Sequence, residues 1–280
     1  MENQNKDQKR EPPIIPIPLT IRNKLNSPHC NFGLCSPRMV SWELNKKGEL
    51  KSDEDYMQKL YNKSKQVYLG INRLLEKKHA QQNNYLKTLK GAEILSITAK
   101  LSSPFITGLG SGHPTETGMI LDRNLGIPYI PASSVKGVLR LACAINTAKK
   151  NGNNEVDLEN ETLVKYFGSE SDSKPGRGQL VILDVYPKTI SELKIDIMNP
   201  HNQNYYSGKN KQPVETESPN PIKFLTVPKG TEFVFNFAYI PLKEGNQCDE
   251  KELNDIIDTA FETVGFGGKT AIGYGRFKRI

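Results

Sequence analysis

The order of hydrophobic patterns predicts an α+β protein with a ferredoxin-like (RRM-like) βαββαβ core, long insertions and an N-terminal helical extension. Within residues 91–280, alternating apolar residues predict strands, and two amphipathic stretches predict helices between them, in the order β-α-β-β-α-β. Residues 1–90 lack this order and contain a helical periodicity instead. The sequence therefore predicts an antiparallel sheet with two helices on one face, preceded by a separate extension.

The N-terminal extension, residues 1–90, is polar and proline-rich to about residue 18, so we expect a mobile or extended arm there. Ser52 is a plausible N-cap for one long helix, or two in sequence, that continues to Leu89. The extension contains 17 Lys and Arg but 9 Asp and Glu, a net charge of +8, whereas the remaining residues have a net charge of −1. This excess of positive charge favours contact with a polyanion.

The four cysteines are too few, in a chain of 280 residues, to indicate a disulfide scaffold, so we expect a reducing, cytoplasmic location. His29, Cys30 and Cys35 supply at most half of a zinc site, and we interpret these cysteines as small buried hydrophobic residues. We therefore expect no metal and no cofactor. The chain contains no apolar run long enough to span a membrane and no N-terminal signal-peptide core, so we expect no membrane contact.

The core elements follow from periodicity and from capping residues. In order, they are a strand at Leu95–Leu101, a helix at Ser133–Lys149, strands at Gln179–Tyr186 and Thr231–Ile240, an amphipathic helix after Asp249, and a last strand at Gly273–Lys278. Asp249 and Glu252 form a capping-box-like start for the second helix. Two long segments interrupt the pattern, Ser102–Pro131 and His201–Pro221, and the second, around residues 200–222, is expected to be flexible.

Gly126–Arg140 combines features of an anion site. Two prolines hold the approach extended, and Ser133 and Ser134 supply hydroxyls that can cap a helix N-terminus. Lys136 and Arg140 then lie one turn apart, so that free backbone N–H groups, hydroxyls and two cations converge on one point. The alternative is an ordinary capped helix with two solvated cations.

A second stretch, residues 265–277, has five glycines in its first eleven positions, which allow positive φ and the close approach of another backbone. Lys269 and Thr270 add a cation and a hydroxyl. Gly268-Lys269-Thr270 resembles the end of a P-loop, but the predicted order here is helix, loop, strand, the reverse of a P-loop. We therefore reject nucleotide hydrolysis. A purely structural connection is expected to need only one or two glycines.

These motifs resemble those of the RAMP superfamily of CRISPR proteins. A C-terminal glycine-rich loop on a ferredoxin-like fold marks that superfamily, and Pro131–Gly137 resembles its Pro-Gly/Ala-Ser-Ser-hydrophobic-Lys-Gly helix start. Gly108–Gly118 is similar to a loop of one subgroup, the sixth subunits of type III-B (Cmr) effector complexes. The fold that the resemblance implies covers Ala92–Ile280.

The resemblance implies a non-catalytic subunit, in antiviral defence, that stacks on backbone subunits and holds guide RNA by its phosphates toward the 3′ side. The expected partners are crRNA, with its RNA target as a further candidate, and other Cmr-type effector subunits. The RNA-binding residues that we expect are Ser133, Ser134, Lys136, Arg140, His113, Gly267, Gly268, Lys269, Thr270, Gly273 and Gly275. RNA-cleaving backbone subunits of the superfamily carry an aspartate after the first strand, whereas Glu116 is the only acid between Ser102 and Leu121. No catalytic residue is therefore assigned.

Two other functions stay open at this point. A guide-processing, metal-independent endoribonuclease of the same superfamily would use a histidine as general acid or base, and His113, with Thr115 and Glu116 nearby, is the candidate. A free-standing RNA-binding module would present aromatic residues on its sheet, and Phe233–Phe237 contains such residues. Alternation of this kind is more often a sign of core packing.

Overall fold

The structure is a computed structural model that describes residues 15–45, 47–53, 55–114, 117–150, 152, 157, 160–169, 176–199, 208, 211–212, 221–242 and 247–280. Within these ranges, no helix combines the length and the apolar character that a membrane crossing requires. The predicted mobile arm falls largely on residues 1–14, and most of the predicted flexible insertion falls on residues 200–220. Both lie outside the described residues, apart from a few isolated positions.

The described elements include both helices and strands. In chain order they are α1 (Leu19–Leu25), α2 (Phe32–Arg38), β1 (Trp42–Leu44), β2 (Leu50–Ser52), α3 (Tyr56–Tyr68), α4 (Asn72–Thr88), β3 (Glu93–Leu101), α5 (Ala132–Lys150), α6 (Glu161–Phe167), β4 (Gly168–Ser169), β5 (Gly176–Arg177), β6 (Leu180–Ile182), β7 (Tyr186–Pro187), β8 (Lys194–Met198), β9 (Ile222–Thr226), β10 (Glu232–Tyr239), α7 (Glu250–Thr259) and β11 (Phe277–Arg279). A π-helical segment, Ala260–Val264, extends α7. The protein is thus a mixed α+β molecule.

The main sheet has the strand order β11-β3-β10-β6, with β7 also paired to β10, and the pairs are antiparallel. The predicted strands at β3 and β10 are confirmed, and their register places Phe235 opposite Ile97. Phe233, Phe235 and Phe237 are completely buried. The aromatic alternation of β10 is therefore core packing, as the sequence favours.

Helices α5 and α7 pack together on one face of the main sheet. The ring of Phe235 in β10 lies 4.7 Å from that of Phe261 in the π-helical segment. The two helices run antiparallel, because Lys150 pairs with Glu252 at 3.8 Å while Asn146, one turn earlier in α5, accepts a 2.9 Å hydrogen bond from Thr259. The predicted cap of α7 is confirmed, since the Asp249 side chain accepts a hydrogen bond from the Glu252 N–H.

Helix α4 of the N-terminal extension contacts the strands on the other face of the main sheet. Its Gln82 side chain accepts a 3.2 Å hydrogen bond from Asn236 of β10 and donates one of 2.6 Å to the carbonyl of Asp184. Asn236 is 1% exposed. Phe32, Tyr68 and Leu75 of the extension belong to the same buried apolar cluster as the sheet residues. The extension therefore completes the core of the protein.

The boundaries of the N-terminal helices correct one prediction. Ser52 is the last residue of β2 and does not cap a helix, because it pairs with Trp42 in the β1–β2 hairpin. Helix α3 begins after Asp55, and a break between Tyr68 and Asn72 separates it from α4. Of the two alternatives that the sequence left open, the pair of helices is therefore the one observed.

Two predicted strands are shorter than expected. Gln179–Tyr186 divides into β6 and β7, because the chain between them leaves the sheet at Asp184. The last strand begins at Phe277, since Gly273 and Gly275 have φ values of 96° and 68° and form turns. The hairpin of β8 and β9, which flanks the long insertion, was not predicted.

Candidate functional site

The N-terminus of α5 is capped by a residue from another part of the chain. The Ala132 N–H donates a 2.8 Å hydrogen bond to Oδ1 of Asp184, which lies between β6 and β7. Ser133 and Ser134 lie within the first turn and are exposed. The prediction that these two serines cap the helix is therefore wrong, because the helix begins one residue before them and a carboxylate already occupies the capping position.

The outward face of α5 carries the predicted cation. Val135, Leu139 and Ala142 are completely buried, which confirms the predicted apolar face. Lys136 is exposed on the opposite face, and Arg140, one turn later, is half-buried. The first turns of α5 therefore present hydroxyls and positive charge to solvent while the apolar face fixes the helix on the sheet.

The glycine-rich loop, residues 265–275, packs backbone against backbone on the segment that follows β3. Gly268 donates a 2.8 Å hydrogen bond to the carbonyl of Ile106, and Gly275 donates one of 2.8 Å to that of Pro104. Gly267 has a φ of 81°, and a Cβ atom there would overlap with the carbonyl oxygen of Ile106. One at Gly275 would overlap with the carbonyl oxygen of Phe266. Gly265 and Gly273 also have positive φ values, of 77° and 96°, so this connection uses more glycines than the one or two expected of a purely structural one.

Lys269 and Thr270 of this loop both contact residues outside it. Lys269 has a left-handed φ of 60°, and its Nζ lies 5.7 Å from the centroid of the Phe224 ring in β9. Thr270 accepts, through its carbonyl, a 3.1 Å hydrogen bond from Nη2 of Arg276. Nη1 of Arg276 is buried and has no hydrogen-bond partner within the described part of the chain. Arg276 was not singled out from the sequence, although it directly follows the last glycine of the loop.

Tyr274 ties the glycine-rich loop to the β8–β9 hairpin. Its hydroxyl donates a 2.6 Å hydrogen bond to Oδ2 of Asp196 in β8. Burial, together with this neighbouring carboxylate, raises the pKa of Tyr274 to about 12. The phenol therefore stays protonated at neutral pH and remains a donor to Asp196.

The loop and the start of α5 lie at the same end of the main sheet. Helix α5 begins beside Asp184, just before β7, and β7 pairs with Phe233 and Val234 at the start of β10. The loop leads directly into β11, whose Phe277 pairs with Leu101 at the end of β3. Because α5 and α7 run antiparallel, the end of α7, which leads into the loop, also lies beside the start of α5. The structure thus brings the two predicted motifs to one end of the molecule, with Lys269 directed at β9.

His113 contacts the N-terminal extension. Its Nε2 lies 3.4 Å from Oγ of Ser36 in α2, and its ring stacks on Tyr56 of α3 at a centroid distance of 6.3 Å. Burial lowers the pKa of His113, which favours the neutral imidazole. His113 and Ser36 border a cavity of about 270 Å³ that Arg123 also lines. His113 thus lies in a junction between the extension and residues 111–114 and 117–123.

Asn31 forms the other part of this junction and was missed in the sequence. Its side chain accepts a hydrogen bond from Leu34 and so caps α2, and its Nδ2 donates to the carbonyls of Arg123 and Asn124 at 3.0 and 2.9 Å. An isolated asparagine gives no sequence signal for contacts more than 90 residues away. Among the described residues, no group of three or more His, Cys, Asp or Glu side chains could hold a metal ion.

The comparisons with known proteins agree with this arrangement of motifs. Residues 98–278 match the family model of the RAMP superfamily, so the chain belongs to that superfamily. A similar sequence is the CRISPR system Cmr subunit Cmr6 of Pyrococcus furiosus, which is 28% identical over 256 aligned residues that cover 72% of each chain. The predicted resemblance to the sixth subunit of the type III-B complex is therefore confirmed.

Solved structures give a likeness in fold. A chain in the cryo-EM structure of the type III-B Cmr-beta bound to cognate target RNA has 20% identity and a TM-score of 0.57, over 85% of this chain and 77% of that one. This chain therefore shares the fold of that protein. The crystal structure of Cmr6 from Pyrococcus furiosus matches 69% of this chain and 99% of its own, with 27% identity and a TM-score of 0.38.

Proposed function

We propose that this protein is a non-catalytic, RNA-binding subunit of a cytoplasmic type III-B CRISPR ribonucleoprotein, which holds the guide RNA toward its 3′ side and packs on backbone subunits. Membership of the RAMP superfamily and the similarity to Cmr6 over 72% of each chain support the assembly. The type III-B Cmr-beta that contains a chain of the same fold is bound to its cognate target RNA, which supports RNA as a ligand. The partners of this protein would be crRNA, with the target RNA as a further candidate, and other Cmr-type subunits.

We further propose that the main sheet, α5 and α7 form a ferredoxin-like βαββαβ core over residues 91–280. The strand order β11-β3-β10-β6, with antiparallel neighbours and both helices on one face, supports this assignment. The end of β3 and the starts of β10 and β11 lie at one edge of the sheet. The proposed RNA site lies at that edge.

The observation that carries the binding proposal is the exposure of Ser133, Ser134 and Lys136 on the first turns of α5. These side chains are not needed for the core, and they stand beside the backbone N–H groups of the first turn, among which that of Ala132 is already bonded to Asp184. A phosphate fits such a site through its charge and its acceptor oxygens. Arg140 adds a second cation one turn along the helix.

The glycine-rich loop would contribute shape and a further cation. Gly267, Gly268, Gly273 and Gly275 keep its backbone free of side chains, and Lys269 and Thr270 lie between them. A ribose-phosphate chain passing between this loop and α5 would be held without base readout, since phosphate contacts carry no sequence information. The sheet itself is not proposed as a base-stacking platform, because its aromatic residues are buried.

The alternative function, guide processing by His113, requires an imidazole that can reach a ribose 2′-hydroxyl. Its contacts with Ser36 and Tyr56 and its lowered pKa favour a packing role. Purified protein should therefore bind guide RNA and leave a guide precursor intact, with or without divalent metal. Site-specific cleavage that disappears in His113→Ala would make the endoribonuclease function correct.

Assembly is tested by purification of the tagged protein from its host, followed by identification of the bound RNA and proteins. We expect short crRNA of defined 3′ length together with further RAMP-type subunits. A charge-reversed variant, Lys136→Glu, should recover less crRNA. Recovery of the protein alone, or with RNA of random sequence and no other subunit, would contradict the proposal.

A further inference from the structure

Two cysteine side chains are in contact within the N-terminal extension. Sγ of Cys30 and Sγ of Cys35 are 2.7 Å apart, and both residues are free thiols. Cys30 precedes α2 and Cys35 lies inside it, so a turn of helix brings the two sulfurs together. The other two cysteines, Cys143 and Cys248, lie in α5 and just before α7. The proposed RNA-binding function uses none of these residues.

The surroundings make the two sulfurs unequal. Cys35 is 1% exposed, and its Sγ lies 3.4 Å from the carbonyl of Leu25, whereas Cys30 is half-buried and open to solvent. Burial and the neighbouring Cys30 raise the pKa of Cys35 to about 12. Nζ of Lys63 donates hydrogen bonds to the carbonyls of Asn26 and Ser27, which fixes the loop and places a positive charge near the pair.

We propose that Cys30 and Cys35 form a reversible disulfide, by exchange with a low-molecular-weight disulfide such as glutathione disulfide. The Cys30 thiolate attacks one sulfur of the oxidant, so a mixed disulfide forms and one small thiolate leaves. The Cys35 sulfur, already in contact, then loses its proton and attacks the Cys30 sulfur, and the second small thiolate leaves. Two protein thiols are oxidised, one small disulfide is reduced to two thiols, and each leaving thiolate takes up a proton.

The bond would act on the junction between the extension and residues 111–126. Asn31 follows Cys30 and holds the carbonyls of Arg123 and Asn124. Ser36 follows Cys35 and contacts His113. The disulfide would therefore add a covalent link across the first turns of α2, between the residues that precede these two contacts.

The test treats the full-length folded protein with glutathione disulfide near pH 8, then unfolds it in urea that contains N-ethylmaleimide, so that every remaining thiol reacts, including that of buried Cys143, and measures the intact mass and peptide map. We expect two of the four cysteines to escape alkylation, a Cys30–Cys35 linked peptide, and full reversal by dithiothreitol. Cys248→Ser, the control variant, should keep this result. Cys35→Ser should stop at a mixed disulfide on Cys30.

Three outcomes would overturn the proposal: four alkylated cysteines in protein that circular dichroism shows to be folded, a linkage that involves Cys143 or Cys248, or thiols that are protected until a chelator removes zinc. Because the first measurement uses wild-type protein, a variant that fails to fold does not affect it. Hydrogen exchange of residues 26–38 should also slow by about tenfold on oxidation. Unchanged exchange in oxidised protein would contradict the effect on α2.

Discussion

The glycine-rich loop and the first turns of α5 both look like ligand sites in the sequence, yet the fold uses them differently. The loop is packed against Pro104 and Ile106 so closely that two of its glycines have no room for a side chain. The start of α5 instead presents Ser133, Ser134 and Lys136 to solvent. Glycines in such a motif therefore shape the site, whereas the exposed polar residues remain available to hold a ligand.

The largest effect is expected for Gly267→Ala. The new Cβ would meet the Ile106 carbonyl at a φ of 81°, so the free energy of unfolding should fall by about 3 kcal/mol in urea titrations. Gly137→Ala is the matched control, since that position lies in α5 with no atom within 4 Å, and it should leave stability unchanged or raise it by about 1 kcal/mol. Equal stability of the two variants would show that the loop is not closely packed.

A smaller loss is expected when α5 loses its cap. Asp184→Ala removes the acceptor of the Ala132 N–H and should lower the free energy of unfolding by about 1 kcal/mol. Asp184→Asn retains an acceptor oxygen and should recover most of that loss. Because both variants also remove a negative charge beside the proposed phosphate site, RNA affinity should not decrease in Asp184→Asn. A marked decrease would place the site elsewhere.

These two predictions rest on contacts that the sequence did not indicate. The strands β3 and β10, the helix α5 and the cap of α7 follow from periodicity and from residues three positions apart, so local patterns identified them. Asp184 is 52 residues from the N–H that it caps, and the strand that the pattern suggested at Gln179–Tyr186 had to break to bring it there. The break between β6 and β7 thus depends on a contact with α5, which lies elsewhere in the sequence.

The sequence predicted the candidate site only in part, again because some of its contacts join residues that are far apart in the sequence. Its residue types and the two motifs were evident, but the close approach of Gly267 to Ile106 depends on how the loop packs after β3. The placement of His113 against Tyr56 depends on how the extension packs, which its predicted helices did not indicate. Arg276 could have been identified from the sequence, because it is a cation directly after the last glycine of the loop.

A still smaller effect concerns the junction around His113. Burial lowers its folded-state pKa below the unfolded value of about 6.5, so the unfolded state takes up a proton first as the pH falls. This contribution to stability is therefore complete above pH 6.5 and decreases below it. Wild-type protein should lose more stability than His113→Gln between pH 7.5 and 5.5 in urea titrations. His29→Gln, which changes an exposed histidine, should follow the wild-type profile. Identical pH profiles of wild-type protein and His113→Gln would contradict the burial of His113.

The most direct test of RNA binding at α5 is the salt dependence of RNA affinity for Lys136→Ala and for a control, Lys251→Ala, an exposed lysine in α7 at the opposite end of the molecule. Both variants should unfold at the same urea concentration as wild-type protein. Lys136→Ala should weaken binding to crRNA and lower the slope of log affinity against log salt by about one, because one phosphate contact is lost. Lys251→Ala should leave both quantities unchanged. Equal affinity and slope for Lys136→Ala and wild-type protein would contradict the claim that the exposed start of α5 holds RNA.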